Sequence, residues 1–173
     1  KRTITVCLFL MILSAAWIGT SEAANRMIVV PASGGTYTEA IVGQPKYLNP
    51  LYSPTSAVDS DLTRLIYSGL LKYNEKMELV NDLAESIEHD DSNKVFTIRL
   101  LPDLKWQDNE PLTMEDVMFT FESIKSKEVD SPLAQAFKSA VVEQVDDRSI
   151  RFTLPDSYAN FSHLLTTGLI PKH

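Results

Sequence analysis

Apolar residues recur along this chain at a spacing of three to four in some stretches and at every second position in others. Alternation of the two patterns predicts single helices interleaved with antiparallel hairpins. The clearest helix follows Thr113. Met114, Val117, Met118, Phe121 and Ile124 fall at i, i+3, i+4, i+7 and i+10, which is one buried helix face, and Thr113-x-x-Asp116 has the form of a capping box at its start. Ser56-x-x-Asp59 repeats that form before an earlier helix, for which Leu62, Leu65, Ile66 and Gly69 are the expected buried stripe. Ser131-Pro132 opens a shorter helix to about Lys138, since Ser can cap and Pro suits the first helical position. A last helix is expected over roughly Asn160 to Thr167, with Phe161, Leu164 and Leu165 inward.

Period two marks the strands. Thr36 to Val42 alternates and ends at the chain break Gly43-Gln44-Pro45, which suits a first strand. Leu70 to Tyr73 and Met77 to Val80 flank Asn74-Glu75-Lys76 as a short hairpin. Ser86 to His89 and Val95 to Leu100 flank the polar turn Asp90 to Asn93, and Phe96, Ile98 and Leu100 share a face. Val141 to Val145 and Ser149 to Leu154 flank Asp146-Asp147-Arg148 and put Ile150, Phe152 and Leu154 on one side. Hairpins interleaved with helices indicate a mixed α/β fold of the α+β kind rather than a doubly wound parallel sheet.

Lys1 and Arg2 precede an uncharged run from Thr3 to Ser21, and small residues follow at Ala23-Ala24. Residues 1–23 therefore read as an export signal, or as an uncleaved N-terminal membrane anchor, since the run approaches the ~20 residues that cross a bilayer. Cys7 lies inside the run rather than at its end, which disfavours lipidation. The chain opens on Lys1, so an upstream part of the positive region is expected. Residues 24–35, closed by Ser33-Gly34-Gly35, form a join to a folded body expected from 36 to 173. That body is expected to work outside the cytoplasm, in the periplasm or on the outer face of the cytoplasmic membrane.

Composition narrows the chemistry. Lys and Arg number 16 against 23 Asp and Glu, a formal charge of −7, which disfavours a nucleic-acid partner. A single cysteine removes disulfide scaffolds, Cys-rich zinc sites and paired-thiol redox chemistry. None of His89, His163 and His173 stands at metal-ligand spacing from another His or Cys, and each reads as a surface or terminal residue. Ser68-Gly69 is only half of a nucleophile elbow. Glu115 and Asp116 fall at the second and third positions of a helix, where they complement the macrodipole rather than forming an acid/base pair. Asp90-Asp91 and Asp146-Asp147 are turn residues, and Trp106 reads as a core or edge anchor. No catalytic residue, metal site or cofactor is expected.

The segment Val95 to Phe121, VFTIRLLPDLKWQDNEPLTMEDVMFTF, resembles the hallmark stretch of the family 5 bacterial extracellular solute-binding proteins, the peptide-binding components of ABC importers. Phe96-Thr97-Ile98, Leu104-Lys105-Trp106 and Pro111-Leu112-Thr113-x-Glu115-Asp116-Val117 with Phe119 and Phe121 carry the resemblance. Gly34-Gly35-Thr36, Tyr47-Leu48-Asn49-Pro50, Ile66-Tyr67-Ser68-Gly69-Leu70 with Tyr73, and Leu169 to His173 extend it in the expected order. Leu101, Gln107 and Asn109 depart from the pattern, standing where a basic residue, His and Gly are common. Asn at 109 is a mild change, because Asn tolerates a left-handed turn.

The resemblance implies the N-terminal lobe segment of a two-lobed, type II periplasmic-binding-protein-like clamp that closes on its ligand by a hinge. The second lobe is absent, and a stop just after Pro171-Lys172-His173 inside the pattern points to a truncation. Implied partners are a peptide ligand, held largely through its backbone, and an ABC permease in the membrane, with the protein itself a monomer. Nickel complexes or another small solute are the alternative cargo, and a membrane-anchored peptide receptor or chaperone is the alternative role. An extracytoplasmic hydrolase is the third. Ligand contacts implied for this lobe are Val42, Gly43, Gln44 and Pro45 after the first strand, then Tyr52, Ser53, Thr55 and Ser56 before the first helix. The residues alone leave a second reading open, in which Gly43 and Pro45 only break the chain and Ser56 only caps.

Overall fold

The computed structural model describes residues 34–173 together with Met11, Leu13, Ser14 and Trp17. The rest of the expected export segment at 1–23, and positions 24–33 of the expected join, lie outside the described residues. Among the described residues no helix is long and apolar enough to cross a membrane. The chain divides into two compact units, Lys1–Ala40 and Ile41–His173, and the second carries every helix and strand named below.

The strand expected over Thr36–Val42 is not formed. These residues are exposed and without helix or strand, and no backbone hydrogen bond holds them to a neighbour among the described residues. Alternation gives a segment two faces, but a strand also needs a partner for its N–H and C=O groups.

In the second unit a single 3₁₀ turn at Ser53–Thr55 leads into α1 (Ala57–Ile66). The short strands β1 (Leu71–Tyr73) and β2 (Leu79–Asn81) form the first hairpin. Its turn is closed by Asn74, whose Oδ1 accepts from the N–H groups of Lys76 and Glu78, both at 2.9 Å. The strands β3 (Ala84–His89), β4 (Val95–Leu100), β5 (Val141–Asp146) and β6 (Ser149–Thr153) form one antiparallel sheet in the order β3-β4-β6-β5. Phe96 faces Phe152 and Ile98 faces Ile150 across the central pair. One register therefore puts all the expected apolar positions on the same side.

Helices α2 (Met114–Lys125), α3 (Ala134–Phe137) and α4 (Phe161–Leu164) cover that side. Phe121 meets Phe152 edge-on at 4.9 Å, Phe96 lies 5.0 Å from Phe161, and Phe137 lies 5.2 Å from Phe121. All five rings are buried, and such tilted and edge contacts add about 0.5–1.5 kcal/mol per pair to the burial of the rings themselves. The solvent side carries charge instead. Arg148 pairs with Glu85 at 2.7 Å, and Arg99 reaches both Glu85 and Asp146.

Helix α2 forms where expected, with its apolar stripe inward and its capping box made. The helices expected over Ser131–Lys138 and Asn160–Thr167 are shorter, at four residues each. The stripe expected on α1 is not the buried one. Leu65 is 81% exposed and Ile66 43%, whereas Val58, Asp59 and Thr63 are buried. The helix stops at Ile66 because Tyr67 turns extended to enter the β1 hairpin, so Gly69 is never on it. The expected apolar period counted a turn that the helix does not have.

Candidate functional site

The expected contact residues fall into two groups around the start of α1. The first is the loop at 42–46, fastened to the helix from below. Gly43 has φ +129°, a conformation open to glycine, and a Cβ there would stand 2.8 Å from Cγ2 of Val58. Three residues on, the Lys46 N–H donates to Oδ1 of Asp59 at 2.8 Å. Asp59 is fully buried, and its Oδ2 has no hydrogen-bond partner among the described residues. The buried carboxylate thus has one visible task, which is holding the loop on the helix. Val42 is 99% exposed, and Gln44 and Pro45 are exposed as well.

The second group is the 3₁₀ turn. Ser56 caps α1 through the Asp59 N–H at 3.4 Å, while the other half of the expected capping box is missing, because the Asp59 carboxylate serves Lys46 instead. Thr55 Oγ1 donates to the Tyr52 carbonyl at 2.9 Å. Tyr52 points away from solvent, donating its hydroxyl to the Val129 carbonyl and stacking obliquely on Tyr47 at 5.3 Å. Of the eight expected residues, Ser53 borders a cleft of about 310 Å³.

That cleft lies between the α1 end of the unit and the segment 163–168. The two walls approach closely because Gly168 has no side chain. A Cβ on it would lie 2.6 Å from the Cβ of Tyr67 and 3.1 Å from that of Pro50. Main-chain bonds lock the approach, with Leu169 N–H donating to the Ser68 carbonyl at 2.9 Å and Leu71 N–H to the Leu165 carbonyl at 3.1 Å. From below, buried Ser131 donates to the Leu51 carbonyl at 2.6 Å and fixes the floor near Leu133. An adjoining groove of about 590 Å³ runs along β1 and shares Arg64, Tyr67 and Thr166 with the cleft.

The cleft is rich in hydroxyls whose hydrogens are already committed. Ser53 donates to the Pro50 carbonyl, Ser60 to Ser53, Thr63 to Asp59, Thr166 to His163 and Thr167 to Leu164, over 2.7 to 3.1 Å. What they offer a ligand is acceptor lone pairs. His163 stands at the rim with Nδ1 held by the Tyr73 hydroxyl at 2.6 Å. It was expected only as a helix-surface residue, and it does lie exposed, but it borders the cleft. The sequence reading also passed over Ser60, Arg64, Thr166 and Thr167. They lie about a hundred positions apart in two sets, and only the Thr166-Thr167-Gly168 run ahead of the Leu169 to His173 landmark hinted at a close approach.

Elsewhere the charged groups are structural. Asp116 is buried and accepts from the main-chain N–H groups of Thr113 and Lys172 and from the indole of Trp106, at 2.9, 2.8 and 3.3 Å. Burial pushes its carboxyl up, but these donors outweigh burial and hold it below the ordinary carboxylate value. Trp106 is therefore an edge anchor, as expected. Asn109 takes φ +73° in the turn after it, and Gln107 donates to the Ile66 carbonyl at 2.8 Å, closing the end of α1. His89 lies exposed at a hairpin end, and His173 meets Asp108 at 3.0 Å. Among the described residues no group of three or more His, Cys, Asp or Glu could hold a metal ion.

Residues 78–172 match the family described as bacterial extracellular solute-binding proteins, family 5 Middle. The oligopeptide-binding protein AppA of Bacillus subtilis is 29% identical over 176 residues, covering 98% of this chain and 32% of AppA. The solved structure of AppA from that organism in complex with a nonapeptide superposes with a TM-score of 0.71 at 31% identity, over 77% of this chain and 27% of the other. NikZ from Campylobacter jejuni, solved in complex with Ni(L-His), gives a TM-score of 0.69 at 30% identity, over 76% of this chain and 26% of NikZ. The chain spans about a third of the curated AppA sequence, and its mixed α/β fold is that of a portion of a two-lobed periplasmic binding protein.

Proposed function

The chain belongs to the bacterial extracellular solute-binding proteins, family 5, and on that premise we propose that the whole protein captures peptides outside the cytoplasm and delivers them to an ABC permease. The observation that carries this reading is the cleft beside Ser53, open and lined by hydroxyl and main-chain acceptors rather than by a reacting constellation. Such a wall suits a ligand recognised through repeated backbone N–H groups, which leaves side chains unread. This chain supplies one wall, and a second lobe closes the other side by a hinge. Of the expected contacts, Ser53 faces the ligand directly, while Val42, Gly43, Gln44 and Pro45 meet it from the loop that Asp59 holds and Tyr52, Thr55 and Ser56 shape the turn beside it. The protein binds without catalysing, acts as a monomer, and reaches its compartment by the N-terminal segment, cleaved or retained as an anchor.

The likeness to NikZ favours one second reading, a metal complex as cargo. The described residues hold no metal-ligating cluster of their own, so the ligands of such a cargo come with it or from the rest of the protein. Calorimetry on the full-length protein separates the two. Micromolar or tighter binding of nonapeptides of unrelated sequence supports the peptide reading, and binding of nickel–histidine with no response to peptides replaces it.

A further inference from the structure

The cleft beside Ser53 holds an asymmetry that a backbone-reading wall does not require. In a chain of formal charge −7, neither Asp nor Glu lines it, and its one permanent charge is Arg64. Arg64 is exposed in the last turn of α1, and its guanidinium makes no hydrogen bond or ion pair among the described residues. It borders both the cleft and the groove along β1. The five Ser and Thr hydroxyls of the cleft, and the Tyr67 hydroxyl beside them, spend their hydrogens on main-chain carbonyls, and His163 has Nδ1 engaged with Tyr73. The guanidinium is therefore the principal donor this wall can turn toward a ligand.

We infer that Arg64 makes this site selective for ligands carrying a carboxylate over the last turn of α1. The inference rests on the proposed reading that this cleft receives the ligand. A neutral peptide carbonyl in that place accepts a weaker, single hydrogen bond from the guanidinium. A carboxylate forms a charge-assisted and geometrically matched pair, strengthened as lobe closure excludes water. An ammonium group there is repelled. Arg64 also sits in the last turn of α1, where a cation complements the helix dipole, and that role alone predicts an effect on stability but none on ligand choice.

The test uses the full-length protein and two matched pools of synthetic nonapeptides, identical except that one position, walked along the peptide, carries Glu in one pool and Gln in the other. The wild type is expected to retain the Glu pool about tenfold more tightly at one position, the effect of one charge-assisted hydrogen bond. Arg64→Gln is expected to erase that preference, and Arg64→Lys to restore part of it. Equal retention of both pools by the wild type, or an undiminished preference in Arg64→Gln, overturns the inference. Should neither pool bind, the peptide reading fails, and the solute that co-purifies with the wild type decides the rest. An anionic solute lost from Arg64→Gln upholds the role of Arg64, and a solute kept by the variant rejects it.

Discussion

The buried carboxylate of Asp116 accepts the main-chain N–H of Lys172 at 2.8 Å and ties the start of helix α2 to a segment fifty-six residues later. The same carboxylate closes the capping box and holds the Trp106 indole. Asp116→Ala leaves four donors, the Thr113 hydroxyl among them, without their acceptor and is expected to cost about 2–3 kcal/mol, more than the ~1 kcal/mol of losing the cap in Thr113→Ala. Urea unfolding of the full-length protein measures both. Equal losses would mean that the carboxylate does no more than cap.

Acid sensitivity follows from the same group and its relatives. Asp116, Asp108 and Asp146 all titrate below the ordinary 3.8. Asp90 is brought down to about 2 by the Ser92 hydroxyl and the N–H groups of Val95 and Lys94. A folded-state value below the unfolded one stabilises the fold above the unfolded value, and that stabilisation is lost as pH falls through the folded value. These aspartates should therefore weaken the fold as pH drops from about 4 toward 2. A melting temperature measured against pH should fall in that window, and Asp90→Asn should flatten its lower part. A profile unchanged by Asp90→Asn would deny the hairpin turn this role.

Gly168 is expected to tolerate no side chain. A Cβ at 2.6 Å from Tyr67 forces the two cleft walls apart, and Gly168→Ala should cost about 1–3 kcal/mol as overpacking. Ligand affinity should fall with it. A variant with an unaltered melting temperature and unaltered affinity would show that the walls are not held at this spacing.

Asp59 is expected to act on the loop rather than on the helix. Asp59→Asn keeps an acceptor for the Lys46 N–H, whereas Asp59→Ala removes it. Hydrogen exchange at Lys46 should speed up in the alanine variant and stay slow in the asparagine one. Equal protection in both would show that the loop is held by the packing of Gly43 on Val58 alone.

The three hairpins and helix α2 were legible because each carries its own period together with its own turn or cap. Phe96, Ile98 and Leu100 alternate beside the Asp90 turn, and Thr113 announces the helix that follows it. Where the outcome depends on a partner, pattern failed. Thr36 to Val42 alternates without a neighbouring strand, and Leu65 and Ile66 have a helical spacing on a face that nothing in the described unit buries. Gly43-Gln44-Pro45 marked a chain break and Ser56 a helix cap by local signal, but the reading of both segments as ligand contacts came from resemblance to the family. The cleft itself was the least legible part. Arg64 looks like any cation in a last helical turn and Thr166 like any loop hydroxyl, until the missing side chain at Gly168 brings their segments together.

The central claim is that this fold serves a peptide carrier. Native mass spectrometry of the full-length protein, expressed in a peptide-rich medium and purified without denaturation, addresses it most directly. The account predicts a spread of adduct masses that fragment as peptides of varied sequence. A single adduct of non-peptide composition, or a nickel complex, would contradict it.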